Sequence, residues 1–298
     1  HTIIGDEMGL GKTVQAIAAI AHAQAQGDSH SLVVCPASVL INWLREVPKH
    51  SRLRVHRLHG SDRHSGLVTW RRHGGVGVTT YGQLDTLRFQ RSDRLAFLVA
   101  DEAHYLKNQS TRRGMAVASV IPHADRVLFL TGTPLENRLE EFQSLVEYVQ
   151  PDLMRTLDMS EAVVSARAFR DRIAPVYLRR NQVDVLTELP PRIDVDDWVE
   201  LSRADRRAHD RAVIQGNFMA LRRAAFLGDG VQSAKVERLV EVVAEAVETG
   251  RKIVVFSYFR DVLDVAAAAL AKVAPVIGPL TGSTKPEDRQ GLIDRFTD

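Results

Sequence analysis

Short apolar runs alternate with helix-length segments through the first half of the chain. Strand-like runs occur at residues 2–5 and in SLVVC, RVHRL, GVGVTTY, LAFLVA and RVLFL. Between them, apolar residues recur at helical spacing in residues 12–26, 40–47 and 110–121. Continuous apolar strands separated by helices are typical of a parallel sheet that is covered on both faces. The first half of the chain is therefore predicted to be an α/β domain.

The pattern changes between residues 140 and 227, where helical segments such as LEEFQSLVEYV and SRADRRAHDRAVIQGNFMALRRAAFL dominate. The stretch ELPPRIDVDDWVEL is an extended break between them. After residue 233 the alternation returns, with KIVVF and VIGPL as predicted strands, and VLDVAAAALAKV and PEDRQGLIDRF as predicted helices. Two such units cannot close a sheet of ordinary size. We therefore predict a complete first domain, a helical insertion and the beginning of a second α/β domain.

Composition sets limits on the class of protein. With 298 residues, 45% of them hydrophobic, the chain can bury a large core in one large domain or two. No apolar run approaches the ~20 residues of a membrane span, so we expect no membrane association. The single cysteine, Cys35, excludes an internal disulfide framework and favours a cytoplasmic location. Because the net charge is only +2, any basic surface must come from local clustering.

The first candidate chemistry lies in GDEMGLGKT, which follows the first strand and leads into a helix. Such a turn aims backbone N–H groups at an anion, which the helix dipole also favours. Lys12 would reach the β- and γ-phosphates of a nucleotide, and the Thr13 hydroxyl would bind Mg²⁺. The usual G-x-x-x-x-G-K-S/T spacing would place a glycine where this chain has Asp6. A plain glycine turn beside a lysine is therefore the alternative. The predicted ATP-binding residues are Gly9, Leu10, Gly11, Lys12 and Thr13.

The second candidate is the acidic pair Asp101–Glu102, which ends the apolar strand LAFLVA. A carboxylate at the carboxyl end of a parallel strand can hold Mg²⁺, and its neighbour can orient or deprotonate the attacking water. Taken alone, an acidic pair after a strand is also an ordinary helix start. Its position after the glycine-rich loop favours an ATPase. We predict Lys12, Asp101 and Glu102 as catalytic residues, and Thr13 and Asp101 as magnesium ligands.

A third polar cluster, Thr131, Gly132 and Thr133, follows the strand RVLFL. Its hydroxyl groups can sense a γ-phosphate and pass that information to a neighbouring surface. The alternative is a strand-to-loop turn rich in threonine, glycine and proline. Because this cluster is the third strand-end motif in order, we interpret it as a coupling element.

Taken in order, DEMGLGKTVQ, DEAH and LTGTPLEN resemble the Swi/Snf-type ATPases, the duplex-DNA translocases of helicase superfamily two that include chromatin remodellers. The resemblance covers almost the whole chain. VVCPASVLINWLREV and VTTYGQL are similar to motifs of the first lobe, and YLRRNQVDVLTELPP is similar to the hinge between lobes. KIVVFSYFRDVLDV and LTGSTKPEDRQGLIDRF look like the opening of the second lobe.

This resemblance implies two RecA-like lobes with helical protrusions. The implied division is a first RecA-like ATP-binding lobe at 1–138, a helical insertion packed on it at 139–180, an inter-lobe hinge at 181–200, a helical protrusion at 201–232 and the incomplete beginning of a second RecA-like lobe at 233–298.

The resemblance also implies DNA-stimulated ATP hydrolysis that moves the protein along double-stranded DNA without strand separation, and so displaces or remodels DNA-bound proteins. ATP and Mg²⁺ are the implied cofactors, and duplex DNA is the implied partner. His104 joins Thr131, Gly132 and Thr133 as a coupling residue. Small hydroxyls and loop N–H groups would contact DNA phosphates without reading sequence. The implied DNA contacts are Pro36, Ser38, Thr80, Tyr81, Ser257, Gly282 and Ser283.

The sequence also departs from the family pattern. The adenine-contacting glutamine segment of the family should precede the phosphate loop, and the late motifs with their catalytic arginines should follow Asp298. We therefore expect a partial sequence whose residues 1–298 alone hydrolyse ATP very slowly. Arginine greatly outnumbers lysine among the 39 basic residues. Arginine binds phosphates well, but a GC-rich coding sequence explains the same excess and is the favoured interpretation. The arginine-rich composition suggests a prokaryotic member, and a prokaryotic member would be nucleoid-associated.

Two other functions stay open: a strand-separating DNA or RNA helicase with the same lobes, and an ATP-dependent switch or scaffold without motor activity. The arginine pairs at 71–72, 179–180 and 222–223 are interpreted as solvated faces rather than as DNA contacts. Trp43 and Trp70 are interpreted as core anchors rather than as base-stacking platforms. The histidines show no spacing, supported by cysteines, that predicts a metal site.

Overall fold

The structure, a computed structural model, describes residues 1–132, 139–156, 166–185, 193–226 and 233–297. The chain divides into two compact units, His1–Pro190 and Pro191–Asp298.

A parallel β-sheet forms the centre of the first unit. In the described ranges it has seven strands, in the order β3-β4-β2-β5-β6-β1-β7, and every paired neighbour runs parallel. The predicted α/β class is thereby confirmed, and its apolar runs are strands that are buried on both faces. The strands are β1 (Thr2–Ile4), β2 (His30–Cys35), β3 (Val55–Arg57), β4 (Gly75–Thr80), β5 (Leu95–Asp101), β6 (Ala124–Leu130) and β7 (Tyr177–Leu178).

Helices cover both faces of this sheet, because successive side chains of a strand point to opposite sides. Leu98 of β5 packs in one core cluster with Phe129 and Val146. The next residue, Val99, belongs to the opposite cluster with Ile17 and Trp43. The helices of this unit are α1 (Lys12–Ala25), α2 (Leu40–His50), α3 (Arg63–His73), α4 (Arg112–Val120), α5 (Leu139–Val149), α6 (Pro151–Thr156), α7 (Ala166–Ile173) and α8 (Gln182–Val185).

The strand register aligns the carboxyl ends of the central strands. Leu130 at the end of β6 is paired with Ile4 of β1 on one side and with Asp101 of β5 on the other. Cys35 and Thr80, the last residues of β2 and β4, are also paired. The loops that follow these five strands therefore leave from one edge of the sheet, where ligands of open parallel sheets bind.

The second unit is helical in its described residues. Gly216, with φ +62°, separates two helices within a stretch that the sequence pattern marked as helical throughout. The helices are α9 (Arg203–Ile214), α10 (Phe218–Ala224), α11 (Ala234–Glu248), α12 (Arg260–Leu270) and α13 (Pro286–Thr297).

A buried aspartate joins two of these helices. Asp205 is fully buried, and its Oδ2 accepts hydrogen bonds from Ser202 Oγ at 2.8 Å and from the Ala234 N–H at 3.0 Å. Ser202 in turn accepts from the Asp205 N–H, which makes a capping box at the start of α9. One carboxylate thus caps the first turns of both α9 and α11.

The predicted strands KIVVF and VIGPL are not strands in the described part of the second unit. A parallel strand is stabilised by backbone pairing with neighbours and by burial of its side chains on both faces. Phe256 is 89% exposed, Val254 is 58% exposed, and neither predicted run takes part in the sheet pairing of the described chain. The prediction of strands at these two places was wrong for this structure, whereas the predicted helices that follow them are present.

None of the helices in the described ranges combines the length and the apolar character that crossing a membrane requires.

Candidate nucleotide-binding site

The loop between β1 and α1 presents an open helix N-terminus. Gly9 and Gly11 have φ values of +87° and +74°, a conformation that glycine adopts at little cost. Gly11 is the N-cap of α1 and supplies no side-chain cap, and the first turn of α1 holds no acidic residue. A Cβ atom placed on Gly11 would meet no atom within 4 Å, so the space beside the loop is open. Free N–H groups, the helix dipole and open space together suit an anionic ligand.

Lys12, the first residue of α1, folds back over this loop. Its Nζ donates to the carbonyl oxygens of Asp6 at 2.6 Å and Glu7 at 3.0 Å. Burial lowers the pKa of Lys12, while the negative charges of Glu102, Asp6 and Asp101 oppose that shift. The lysine therefore lies within electrostatic range of the acidic pair that ends β5, as the sequence predicts for one shared site.

Asp6, where the usual motif has glycine, is fully buried. Its carboxylate accepts hydrogen bonds from the backbone N–H of Arg180 at 2.9 Å, from Arg180 Nη2 at 2.5 Å and from Gln15 Nε2 at 3.2 Å. Burial alone would raise the pKa of Asp6, but these hydrogen bonds and the charge of Arg180 lower it below its usual value. Asp6 is thus an ionised anchor inside the loop.

Asp101 is held by groups from three different parts of the chain. Its Oδ2 accepts from Trp43 Nε1 at 2.8 Å, and its Oδ1 accepts from the Glu102 N–H at 2.9 Å. Its backbone carbonyl accepts from the Tyr81 hydroxyl at 2.7 Å. Burial raises the pKa of Asp101, and the hydrogen bond from Trp43 opposes this rise. The carboxylate therefore has a fixed orientation at the end of β5.

Glu102 adopts an unusual backbone conformation. With φ +52° it is the one non-glycine residue with positive φ in the described part of the chain. Such strain of about 1–3 kcal/mol is retained where the surrounding structure requires it, commonly at functional sites. It turns the chain sharply after β5. His104 Nδ1 lies 3.2 Å from Glu102 Oε2, and the His104 ring packs on Tyr105 with a centroid distance of 4.6 Å.

Thr131 and Gly132 lie against the phosphate loop. The Thr131 N–H donates to the Ile4 carbonyl at 3.0 Å, which continues the pairing of β6 with β1. A Cβ atom on Gly132 would be 3.1 Å from Met8 Cγ and 3.7 Å from Lys12 Nζ. This close approach supports contact between the coupling motif and the loop. Thr133, the third predicted coupling residue, lies outside the described residues.

The predicted DNA contacts of the first unit fall into two groups. Pro36 is half-buried and Ser38 exposed, both in the loop after β2. Thr80 and Tyr81, by contrast, are only 5% exposed each. The Thr80 hydroxyl lies 3.2 Å from His59 Nδ1, and the Tyr81 hydroxyl is bonded to Asp101. Their side chains are thus used inside the fold, and the Thr80 carbonyl also accepts from the Gln83 N–H at 3.0 Å, so their contact with DNA stays a prediction.

The three predicted DNA contacts of the second unit lie near the start of α12. Ser257 Oγ accepts from the Phe259 N–H at 3.1 Å just before that helix. Arg260, the first residue of α12, donates to Ser283 Oγ at 3.2 Å. The neighbouring Gly282 carbonyl accepts from Arg289 at 3.3 Å. These residues therefore share one polar, largely exposed surface, and their contact with DNA stays a prediction.

Arg180 and Trp43 are site residues that the sequence analysis missed. Arg180 was interpreted as part of a solvated face, yet it binds Asp6. Trp43 is a core residue as predicted, with 0% exposure, but its indole N–H also holds Asp101. One signal was present in the sequence: an aspartate inside a glycine-rich loop, once buried, needs a cationic partner.

The described residues contain no group of three or more histidine, cysteine, aspartate or glutamate side chains that could hold a metal ion by themselves. Mg²⁺ in nucleotide sites is usually bound by one or two protein oxygens together with phosphates and water. Thr13, at the start of α1, and Asp101, with its fixed carboxylate, fit that kind of donor set.

Comparisons with known proteins agree with this geometry. The family model of the SNF2-related domain matches residues 1–249. An "uncharacterized ATP-dependent helicase" of Mycoplasma pneumoniae is 29% identical over 99% of the chain and 32% of its own length. "Protein CHROMATIN REMODELING 19" of Arabidopsis thaliana is 32% identical over 71% of the chain and 31% of its own length. The chain thus spans about a third of the length of these relatives.

Among solved structures, the Sulfolobus solfataricus SWI2/SNF2 ATPase core in complex with dsDNA is similar with a TM-score of 0.56 and 25% identity. The match covers 100% of this chain and 71% of that one.

Proposed function

This chain belongs to the SNF2-related domain family, and on that premise we propose that it is the core of a DNA-dependent ATPase that translocates on double-stranded DNA without separating its strands. Movement of this kind would displace or remodel proteins bound to the DNA. The ATP site and the DNA partner are supported by separate observations.

The observation that carries the ATPase is the convergence of three loops at one edge of the sheet. Lys12, Asp101 and Glu102 interact electrostatically there, and Gly132 approaches the same lysine. We assign Lys12 to the β- and γ-phosphates, and Thr13 and Asp101 to Mg²⁺. The bound ion would neutralise charge on the phosphate oxygens. Glu102 would orient the attacking water and accept its proton.

Double-stranded DNA as partner is supported by the similar ATPase core whose structure contains it. The candidate contacts at Pro36, Ser38, Ser257 and Ser283 are small or hydroxylic groups, which position a protein on phosphates without reading bases. Several named relatives are helicases, so strand separation is the second candidate function.

Two substitutions in the full-length protein separate binding from hydrolysis. Lys12→Ala should weaken ATP binding and abolish turnover, because the phosphates lose their cationic partner. Glu102→Gln should retain ATP binding and stall hydrolysis, because the loop and the magnesium-binding groups are unchanged. Equal loss of ATP affinity in both variants would contradict these separate roles.

A comparison of nucleic acids tests the partner. Duplex DNA should stimulate ATP hydrolysis far more than single-stranded DNA or RNA, and binding should be independent of sequence and weakened by salt. Unwinding of a labelled duplex, or strongest stimulation by RNA, would favour the helicase instead. A complete lack of stimulation by any nucleic acid would favour a switch or scaffold.

A further inference from the structure

We propose that Arg180 is a positioning residue for the phosphate loop: by binding Asp6, it holds the loop in the shape that accepts nucleotide. This inference rests on the proposed ATPase function and adds to it a residue far from the loop in sequence. It also assigns a role to Asp6, the position at which the loop departs from the usual glycine pattern.

The first line of support is the network around Asp6. Arg180 binds the buried carboxylate through its backbone N–H and its guanidinium group, which contacts both carboxylate oxygens. Arg180 Nη2 also donates to Gln15 Oε1 at 2.8 Å, and Gln15 Nε2 donates to the Leu10 carbonyl at 2.9 Å. The network therefore reaches the loop at its beginning, Asp6, and near its end, Leu10.

The second line is a continuous backbone contact between the loop and residues 176–182, which we term the clamp segment. The N–H groups of Ile3, Gly5 and Glu7 donate to carbonyls of the clamp segment at 2.7, 2.7 and 3.1 Å. In the opposite direction, the Gln182 N–H donates to the Glu7 carboxylate at 2.6 Å, and Gln182 Nε2 donates to the Met8 carbonyl at 2.5 Å. Hydrogen bonds thus join alternate residues from Ile3 to Glu7, and then Met8, to the clamp segment.

The third line of support is that the clamp segment binds the same residues as Lys12, the predicted phosphate-binding lysine. Lys12 Nζ is held by the backbone carbonyls of Asp6 and Glu7. Arg180 binds the same Asp6, and Gln182 binds the same Glu7. A displacement of the clamp segment would therefore move the groups that set the position of the phosphate-binding lysine.

A glycine at position 6 offers a sharp test, because Asp6→Gly creates the usual G-x-x-x-x-G-K-T spacing. If the loop works independently of Arg180, this variant should bind nucleotide as well as the parent does. If Arg180 positions the loop through Asp6, then Asp6→Gly and Arg180→Gln should both weaken binding. The double variant should be no weaker than either single one, since both remove the same interaction.

The experiment measures the affinity of the full-length protein for methylanthraniloyl-ATP with Mg²⁺, by fluorescence. If loss of the clamp leaves about one tenth of the molecules with a competent loop, affinity falls about tenfold. The matched control is Arg112→Gln, which removes another arginine–aspartate pair, Arg112–Asp85, from a more exposed place in the same unit. It should bind as the parent does.

Amide hydrogen exchange distinguishes a positioning role from a general effect on stability, because only a positioning role changes the loop amides selectively. In Arg180→Gln, the amides of Gly5 and Glu7 should exchange faster, while amides in the middle of the sheet are unchanged. Arg180→Lys keeps the charge but not the two-pronged geometry, so its affinity should lie between those of the parent and Arg180→Gln. It also carries the test if Arg180→Gln does not fold.

The outcomes separate this inference from the proposed function. If the parent binds nucleotide and the Arg180 and Asp6 variants bind equally well, the inference is overturned and the ATPase proposal stands. Weaker binding without faster exchange of the loop amides also overturns it, because the effect would not pass through the loop. If the parent binds no better than Lys12→Ala, the proposed function itself fails.

Discussion

Replacing Trp43 with phenylalanine should weaken the response of the full-length protein to Mg²⁺ while leaving its fold in place. The indole N–H of Trp43 donates to Asp101 Oδ2 at 2.8 Å, and Trp43 has no exposed surface. Phenylalanine keeps an aromatic ring in the core but has no donor. The half-buried carboxylate then retains the Glu102 N–H on its other oxygen and can rotate away from the position that suits a metal ion.

The magnitude follows from the type of hydrogen bond that is lost. A hydrogen bond to a charged group contributes about 1.5–3 kcal/mol. At about 1.4 kcal/mol for each tenfold change, this corresponds to a ~10–150-fold effect. Loss of groups that orient metal ligands typically lowers metal affinity by about 10–100-fold. We therefore expect the Mg²⁺ concentration at half-maximal ATP hydrolysis to rise by at least about tenfold.

The assay is a Mg²⁺ titration of DNA-stimulated ATP hydrolysis, with thermal unfolding measured on the same samples. Trp70→Phe is the matched control, since Trp70 is 2% exposed and donates its indole N–H to a neutral carbonyl, that of Gly75, at 3.1 Å. Both variants lose the same side-chain atoms from the core. Only Trp43→Phe should change the Mg²⁺ dependence. The reasoning is refuted if the two variants have the same Mg²⁺ dependence, whatever their stability.

Three further outcomes test other features. Gly132→Ala should weaken ATP binding, because the added Cβ would lie 3.1 Å from Met8 Cγ. The control Gly291→Ala, whose Cβ meets no atom within 4 Å, should leave ATP binding unchanged. Equal ATP affinities of the two variants would contradict the close packing of Gly132. Because Arg180 lowers the pKa of Asp6, ionised Asp6 stabilises the fold above its unfolded pKa of about 4, and this contribution is lost as the pH falls through the lowered pKa. Asp6→Asn should therefore lose less free energy of unfolding than the parent between about pH 5 and pH 3, as measured by urea unfolding; a greater loss would reverse the sign of our argument. Cys35, the single cysteine, is buried, and burial raises the pKa of its thiol, so labelling by a thiol reagent should occur only on unfolding; rapid labelling of the native protein would contradict that placement.

The strands β1, β2, β4, β5 and β6 were predictable because each contains a short apolar run that is largely buried in the sheet. The three strand-end motifs were predictable for a related reason, since carboxyl ends of parallel strands meet at one edge. In the second unit the same apolar signal failed. An apolar run records a tendency to be buried, but a strand also needs a neighbour, and Phe256 has neither pairing nor burial in the described chain.

Contacts between residues that are far apart along the chain could not be predicted from the sequence. Asp6 and Arg180 meet only because β7 pairs with β1, and a two-residue strand such as β7 leaves almost no periodic signal. Tyr81 shows the same limit, because a tyrosine in a polar stretch gives no indication that its hydroxyl will be bonded beneath Asp101. Local patterns predict which residues are buried; they do not predict which buried residue meets which.

The strand order of the sheet has a consequence for the synthesis of the protein. β1 precedes the other described strands in sequence, yet it lies between β6 and β7, and Ile3 is paired with Phe129 and Tyr177. β2, by contrast, has neighbours, β4 and β5, that lie closer to it along the chain. During synthesis, β2, β4 and β5 can therefore pair before both partners of β1, β6 and β7, have been made. The loop after β1 therefore acquires its folded surroundings only after the chain has been synthesised past Arg180.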